Sequence, residues 1–226
     1  AGHVTSKEEH ANFYQTVLKA DLEVVKWVKF GYELNLSEWP KSSYLENNKS
    51  ALIEPVFVWN QLRRLCKLGV MSEVQERPHV INPLSVVYSN KKRLVWDARE
   101  LNKLIDTVKL PLETLDDTVE LLEKDFYGGT SDLEAGYFQV GVAEEQKQLL
   151  GCAFQDPATG KVSYFVSNTM ILGERGAVHG FTRLLKPVVK HARLLGWRGI
   201  VYVDDFGHVG ETEEKCKVNR EILKGV

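Results

Sequence analysis

Three carboxylates in two short segments carry the strongest chemical signal in the chain. The stretch "VYVDD", Val201 to Asp205, drives a β-branched and aromatic run straight into Asp204 and Asp205. "TSDLEAGYFQV" places Asp132 at the end of another strand-like run, "FYGGTS". A DD pair taken alone most often closes an Asx-type turn between strands. Two adjacent carboxylates repel, however, and a divalent cation relieves the repulsion; magnesium favours a few carboxylate oxygens completed by substrate phosphates. A third acid arriving from a separate strand is what raises the pair to a candidate metal site.

Such a site needs a sheet to hold it. Alternation puts Val201 and Val203 on one face of a strand and Tyr202 on the other, leading to a tight turn from which Asp204 and Asp205 emerge. Around this segment the element types alternate. The pattern from Pro55 to Gly69 is helical: Val58, Leu62, Leu65 and Cys66 share a face, with Pro55 suited to the first turn and Gly69 to the C-terminal end. "PLSVVYSNKKRLVWD" (Pro83 to Asp97) reads as a hairpin with a basic tip, and "LLGCAFQDPATGKVSYFV" as a second hairpin turning at "DPATG". The spacing of Leu115, Val119 and Leu122 predicts a helix, as does Glu174 to Leu195, interrupted by Pro187. "ETEEKCKVNREILKGV" predicts a closing helix, acidic at its start and packed on the sheet, and the polar Lys41 to Ser50 reads as a loop or boundary.

Composition narrows the classes of function. The 226 residues are 43% apolar and 27% charged, a globular balance, and no apolar run approaches the roughly 20 residues of a membrane span. The start, "AGHVTSKEEHANFYQ", lacks the pattern of a secretory signal. Three cysteines, Cys66, Cys152 and Cys216, show no CxxC or Cys/His spacing, which disfavours disulfides and structural zinc and fits a reducing, intracellular setting, with cytoplasm and nucleus undistinguished. A formal charge of −2 argues against a protein that coats nucleic acid, so phosphate recognition has to come from local clusters. "NKKR" (Asn90 to Arg93) and "TRLLKPVVKHARLLGWR" are the two clusters.

Taken in order, several segments resemble the fingers and palm of reverse transcriptases, most closely those of DIRS-type, tyrosine-recombinase retroelements. "NNKSALIEPVFVWNQLRRLCKLGVMSEV" is similar to the lead-in, and "NPLSVV" with "KKRLVWDARELN" to the fingers. "DLEAGYFQV", "ILGERGAVHGFTRLLKPV" and "VYVDD" follow in the places of three catalytic motifs, and the likeness spans Asn47 to Gly210. Before Gly173 the chain has Ile171 and Leu172, then Glu174 and Arg175, where the family's second motif has a proline before its glycine.

The resemblance implies an α+β polymerase right-hand fold, with an antiparallel palm sheet backed by helices. It implies a lead-in at 1–48, fingers from 49–105 and 142–171, and palm from 106–141 and 172–226, with thumb and RNase H regions belonging to a larger polyprotein. Asp132 and Asp204, with Asp205 as a further member and the Leu133 carbonyl completing a site, would hold two Mg2+ ions, or Mn2+, about 3.5–4 Å apart. One ion would lower the pKa of a primer 3′-hydroxyl and the other would brace the triphosphate. Arg93, with Lys91 or Lys92, would lie over the dNTP triphosphate, and Gly173 would let nucleotide or template approach the backbone. Tyr137, five residues after Asp132, resembles the steric gate against a ribose 2′-hydroxyl, and so points to DNA synthesis on an RNA or DNA template. Phe138 reads as a core aromatic. A polymerase fold kept as a non-catalytic nucleic-acid-binding or interaction module is the second reading, and self-association through exposed palm surface is a further expectation. A metal-dependent phosphohydrolase would leave the gate and the basic hairpin unexplained.

Overall fold

The computed structural model describes residues 7–226 except Thr107, Leu110, Pro111, Leu115, Asp116, Thr118, Glu120, Leu122, Lys124 and Glu134. Of the helix expected from Leu115, Val119 and Leu122, Leu115 and Leu122 lie outside the described residues, and the described Asp117, Val119 and Leu121 are helical. Helices α1 (Glu8–Thr16), α2 (Leu22–Phe30), α3 (Lys49–Leu52) and α4 (Pro55–Lys67) lie within the first third of the chain. Asp21 caps α2 by accepting from the Val24 N–H at 2.9 Å. Helix α4 has Pro55 in its first turn and buries Val58 and Leu62, and the chain leaves it through Gly69 at φ +71°, the left-handed geometry that ends helices.

Among the described residues ten strands form three sheets, an α+β arrangement. The first sheet has the order β1 (Ser43–Tyr44), β3 (Val80–Ile81), β7 (Gly151–Gln155), β8 (Val162–Ser167) and β2 (Met71–Val74). Its β1/β3 and β3/β7 pairings are parallel and the others antiparallel. The expected hairpin over "DPATG" is the antiparallel β7/β8 pair. Ser43–Tyr44, expected as loop, instead forms an edge strand: the Ser43 and Leu45 N–H groups donate to the His79 and Ile81 carbonyls at 3.0 and 3.1 Å. Its polar sequence hid it because an edge strand need bury little.

The second sheet is the hairpin of β4 (Leu84–Tyr88) and β5 (Lys92–Trp96). The third is wholly antiparallel, in the order β6 (Tyr127–Asp132), β10 (Asp205–Gly210) and β9 (Gly199–Tyr202). Beneath it Val201 and Phe206 pack with Val189, Ala192 and Trp197 in a small core of their own, joined by Ile222 and Leu223. Val189 and Ala192 come from the long helix Ala177–Leu194, Trp197 from the segment that follows it, and Ile222 and Leu223 from the last helix Glu213–Lys224. The long helix begins at Ala177 rather than at Glu174 and includes Pro187. Thr212 caps the last helix by accepting from the Lys215 N–H at 3.2 Å. The larger core lies among α1–α4, the first sheet and the near end of the long helix.

Candidate active site

Strands β9 and β10 join through two residues only, Val203 and Asp204, because Tyr202 already pairs with Asp205. The expected strand through Val203 is therefore one residue too long, and Asp205 opens β10 instead of sitting in the turn. A two-residue hairpin turn needs positive φ at its first position. Val203 supplies it at φ +58°, a conformation that a β-branched side chain resists and that clusters at functional sites.

Asp205 stands directly opposite Asp132 of β6 as well as Tyr202 of β9. Opposed residues project to one face of a sheet, so the two acids share the open face, and Thr130 and Gly207 come next along it. The Leu133 N–H donates to the Asp204 carbonyl at 3.1 Å, which carries the ladder one step past Asp132 and ties the turn to the end of β6. Asp132 and Asp205 are exposed and Asp204 is half-buried. None of the three is in an ion pair among the described residues. The Leu133 carbonyl accepts from the Gly136 N–H at 3.2 Å and keeps a second lone pair.

The face behind the acids is built differently. The Trp197 Nε1–H donates to His208 Nδ1 at 3.0 Å, which leaves the imidazole proton on Nε2 to be donated to Ser131 Oγ at 2.6 Å. Burial, with the Arg220 and Lys224 charges behind it, holds the His208 pKa below its ordinary value and the ring neutral. Asn219 of the last helix accepts from the Arg198 N–H and donates to the Val209 carbonyl. The hairpin is thus fixed from beneath by side chains of β6, of the Trp197 segment and of the last helix.

Tyr137 sits in a short 3-10 helix, Gly136–Gln139, and stacks on Phe181 with ring centroids 4.9 Å apart. Burial first, then the charges of Asp204 and Glu174, push its phenol pKa up, so it lies in the field of the acids and of the segment before the long helix. That segment contains Gly173, exposed at φ +100°, where a side chain would meet the Trp96 carbonyl at 3.3 Å. The side-chain amide of Asn102 donates to the Gly173 carbonyl at 2.8 Å and accepts from the Arg175 N–H at 2.9 Å. Glu174 turns inward, is 5% exposed and accepts from the Gly176 N–H. Burial pushes its pKa up to about 7, against the lowering effect of that N–H. Asn102 closes the segment "KKRLVWDARELN" and Glu174 follows Gly173, but nothing in either segment signals the contacts that they make.

In the basic hairpin, successive residues face opposite ways. Lys92 pairs with Glu54 at 2.7 Å and lies over the Phe57 and Tyr88 rings, while the Tyr88 hydroxyl donates to the same carboxylate at 2.8 Å. Arg93 faces the other way beside Val87, and its guanidinium has no partner among the described residues. Lys91 is exposed at the tip. The structure thus brings Asp132, Asp204 and Asp205 to adjoining positions, sets Tyr137 in the field of Asp204 and Glu174, and commits Lys92 to Glu54.

The carboxylate and carbonyl oxygens gathered at the ends of β6 and β10 are the hard donors that suit magnesium. Among the described residues no group of three or more His, Cys, Asp or Glu side chains stands close enough to hold a metal ion unaided. A cation there would draw its remaining ligands from substrate and water. No described helix is long and apolar enough to cross a membrane.

Neither a known protein family nor a curated protein matches the sequence. Among solved structures, a foamy viral protease-reverse transcriptase in complex with dsDNA is similar at a TM-score of 0.65 and 15% sequence identity, over 99% of this chain and 50% of the other. The chain thus spans half the length of that structure. At this identity the likeness is one of fold: the chain has a reverse-transcriptase-like α+β fold.

Proposed function

We propose that the chain is the catalytic core of an RNA-directed DNA polymerase, adding dNTP to a primer 3′-hydroxyl by two-metal nucleotidyl transfer. The observation that carries this reading is the pairing of Asp132 with Asp205, with Asp204 beside them in a turn that forces Val203 to positive φ. Strain at that turn and unpaired acids on an open face both cost stability, and a cation-binding role accounts for both. Asp132, Asp204 and Asp205, with the Leu133 carbonyl, would hold Mg2+. The metal, when bound, supplies charge neutralisation for the primer oxygen and the leaving pyrophosphate.

This chain's residues do the rest. Arg93 and Lys91 offer cations to the triphosphate, and Lys92 braces their hairpin through Glu54. The Tyr137 ring, propped by Phe181, excludes a 2′-hydroxyl, and Gly173 leaves room for the nucleotide. The open face with Thr130 and Gly207 receives the primed duplex; the similar structure was bound to dsDNA, which supports a nucleic-acid partner. In this reading 49–105 and 142–171 form fingers, 106–141 and 172–226 form palm, and the order of motifs favours a DIRS-type retroelement source.

The test is primer extension by the full-length protein on RNA and DNA templates with Mg2+. Extension is expected, and Asp204→Asn should lose it; a variant that extends at the wild-type rate contradicts the assignment. A non-catalytic binding module is the second reading, favoured by the lack of a closed cluster of ligands among the described residues. It predicts that the wild type binds primed template and adds nothing.

A further inference from the structure

The segment from Leu172 to Gly176 leads into the long helix yet belongs to no helix or strand itself. Loops of this kind are ordinarily the mobile part of a site. Here its exposed backbone groups are satisfied by one side chain from a distant part of the sequence. Asn102 uses both ends of its amide as a peptide would, donating to the Gly173 carbonyl at 2.8 Å and accepting from the Arg175 N–H at 2.9 Å. The Arg175 guanidinium returns a long bond to the Asn102 carbonyl at 3.5 Å. Asn102 is itself held: it lies in the 3-10 helix Leu101–Leu104, flanked by Leu101 and Ile105, which are 3% and 2% exposed. Its own N–H donates to the Ala98 carbonyl at 2.8 Å.

We propose that Asn102 is a positioning residue that locks the Gly173 segment at the height where it meets an incoming nucleotide, so that it controls how well dNTP is held and leaves the chemistry at the acids untouched. The inference rests on the polymerase reading. Gly173 sits at φ +100°, which other residues seldom adopt, and its backbone is exposed. A platform of that geometry is useful to a ligand only if it does not wander, since ordering it at the moment of binding costs affinity. An amide that bonds the glycine carbonyl and the Arg175 N–H, on either side of Glu174, supplies that constraint from outside the loop.

Asn102→Ala and Asn102→Asp, made in the full-length protein, test this by two readouts. Hydrogen exchange at the Arg175 amide should quicken in the Ala variant and stay slow in the Asp variant, which keeps the acceptor, while exchange in β6 and β10 stays unchanged in both. In primer extension both variants should raise the KM for dNTP roughly tenfold with kcat within about twofold, because both lose the donor to Gly173. A KM unchanged in both variants, or a loss of kcat alone, overturns the inference while the wild type still extends primers. Arg175 exchange unaffected by Ala overturns it as well. A wild type that adds no nucleotide overturns the polymerase reading, and this inference falls with it.

Discussion

Hairpin β4–β5 turns through Ser89 to Lys91 and carries cations, whereas hairpin β9–β10 turns through Val203 and Asp204 and carries acids. The first is a regular ladder anchored at its base, where Leu84 and Val86 enter the larger core and their N–H groups donate to Asn47 Oδ1 and Ser50 Oγ. Its five residue pairs are regular, no residue of its tip has positive φ, and Lys92 is braced by Glu54 alone among charged groups. The second contains a strained valine, and what holds it comes from elsewhere: Phe206 in the small core, and His208 bonded to Trp197 and Ser131. The difference teaches where stability is spent. A basic tip can ride on a regular ladder, but acids that must be kept close against their own repulsion need a turn fixed by packing beneath it.

Truncation beneath the acids should break the comparison most sharply. Phe206→Ala empties a site only 5% exposed and should cost about 3–5 kcal/mol in urea unfolding. Val87→Ala on the basic hairpin, where the side chain is 47% exposed, should cost less than about 1 kcal/mol.

His208 comes next. His208→Ala orphans the Trp197 N–H and should cost about 2–3 kcal/mol at pH 7.5. The folded pKa of His208 lies below its unfolded value, so the stability linked to it is complete above pH 6.5 and is lost as the pH falls toward the folded pKa. The gap between wild type and variant should therefore narrow between pH 7.5 and pH 5. A gap that is constant with pH would mean that the ring's protonation is not what the fold resists.

The smallest effect sharpens the contrast at the turns. Val203→Gly gives up a partly buried side chain but removes a positive-φ penalty of about 1–2 kcal/mol, so stability should stay nearly level. Val87→Gly, in a regular strand, should lose about 0.5–1 kcal/mol. Equal losses in the two would show that Val203 is not strained.

Much of this framework was legible in the sequence. Helix α4, the basic hairpin, the β7/β8 hairpin and the strands on either side of the Asp pair are written in local periodicity and turn residues, which act over a few positions. The place of Val203 was not legible, because a valine at a position suited to glycine violates the local rule and is held there by tertiary packing. Lys92 and Arg93 stand side by side in the basic cluster "NKKR", yet strand alternation gives one to Glu54 and leaves the other open. Asn102 and Glu174 fall within recognised segments, but their roles were invisible because these lie in partners about 70 residues apart or in burial. Neither fact leaves a trace in composition or spacing.

The claim that Asp132, Asp204 and Asp205 act as one cation-binding set is tested most directly by Mn2+ binding, followed by electron paramagnetic resonance with primed template and with or without dNTP. The account predicts that dNTP tightens Mn2+ binding in the wild type and that Asp132→Asn or Asp204→Asn abolishes the dNTP-dependent sites while the fold persists. Equal dNTP-dependent Mn2+ binding by wild type and both variants would contradict it.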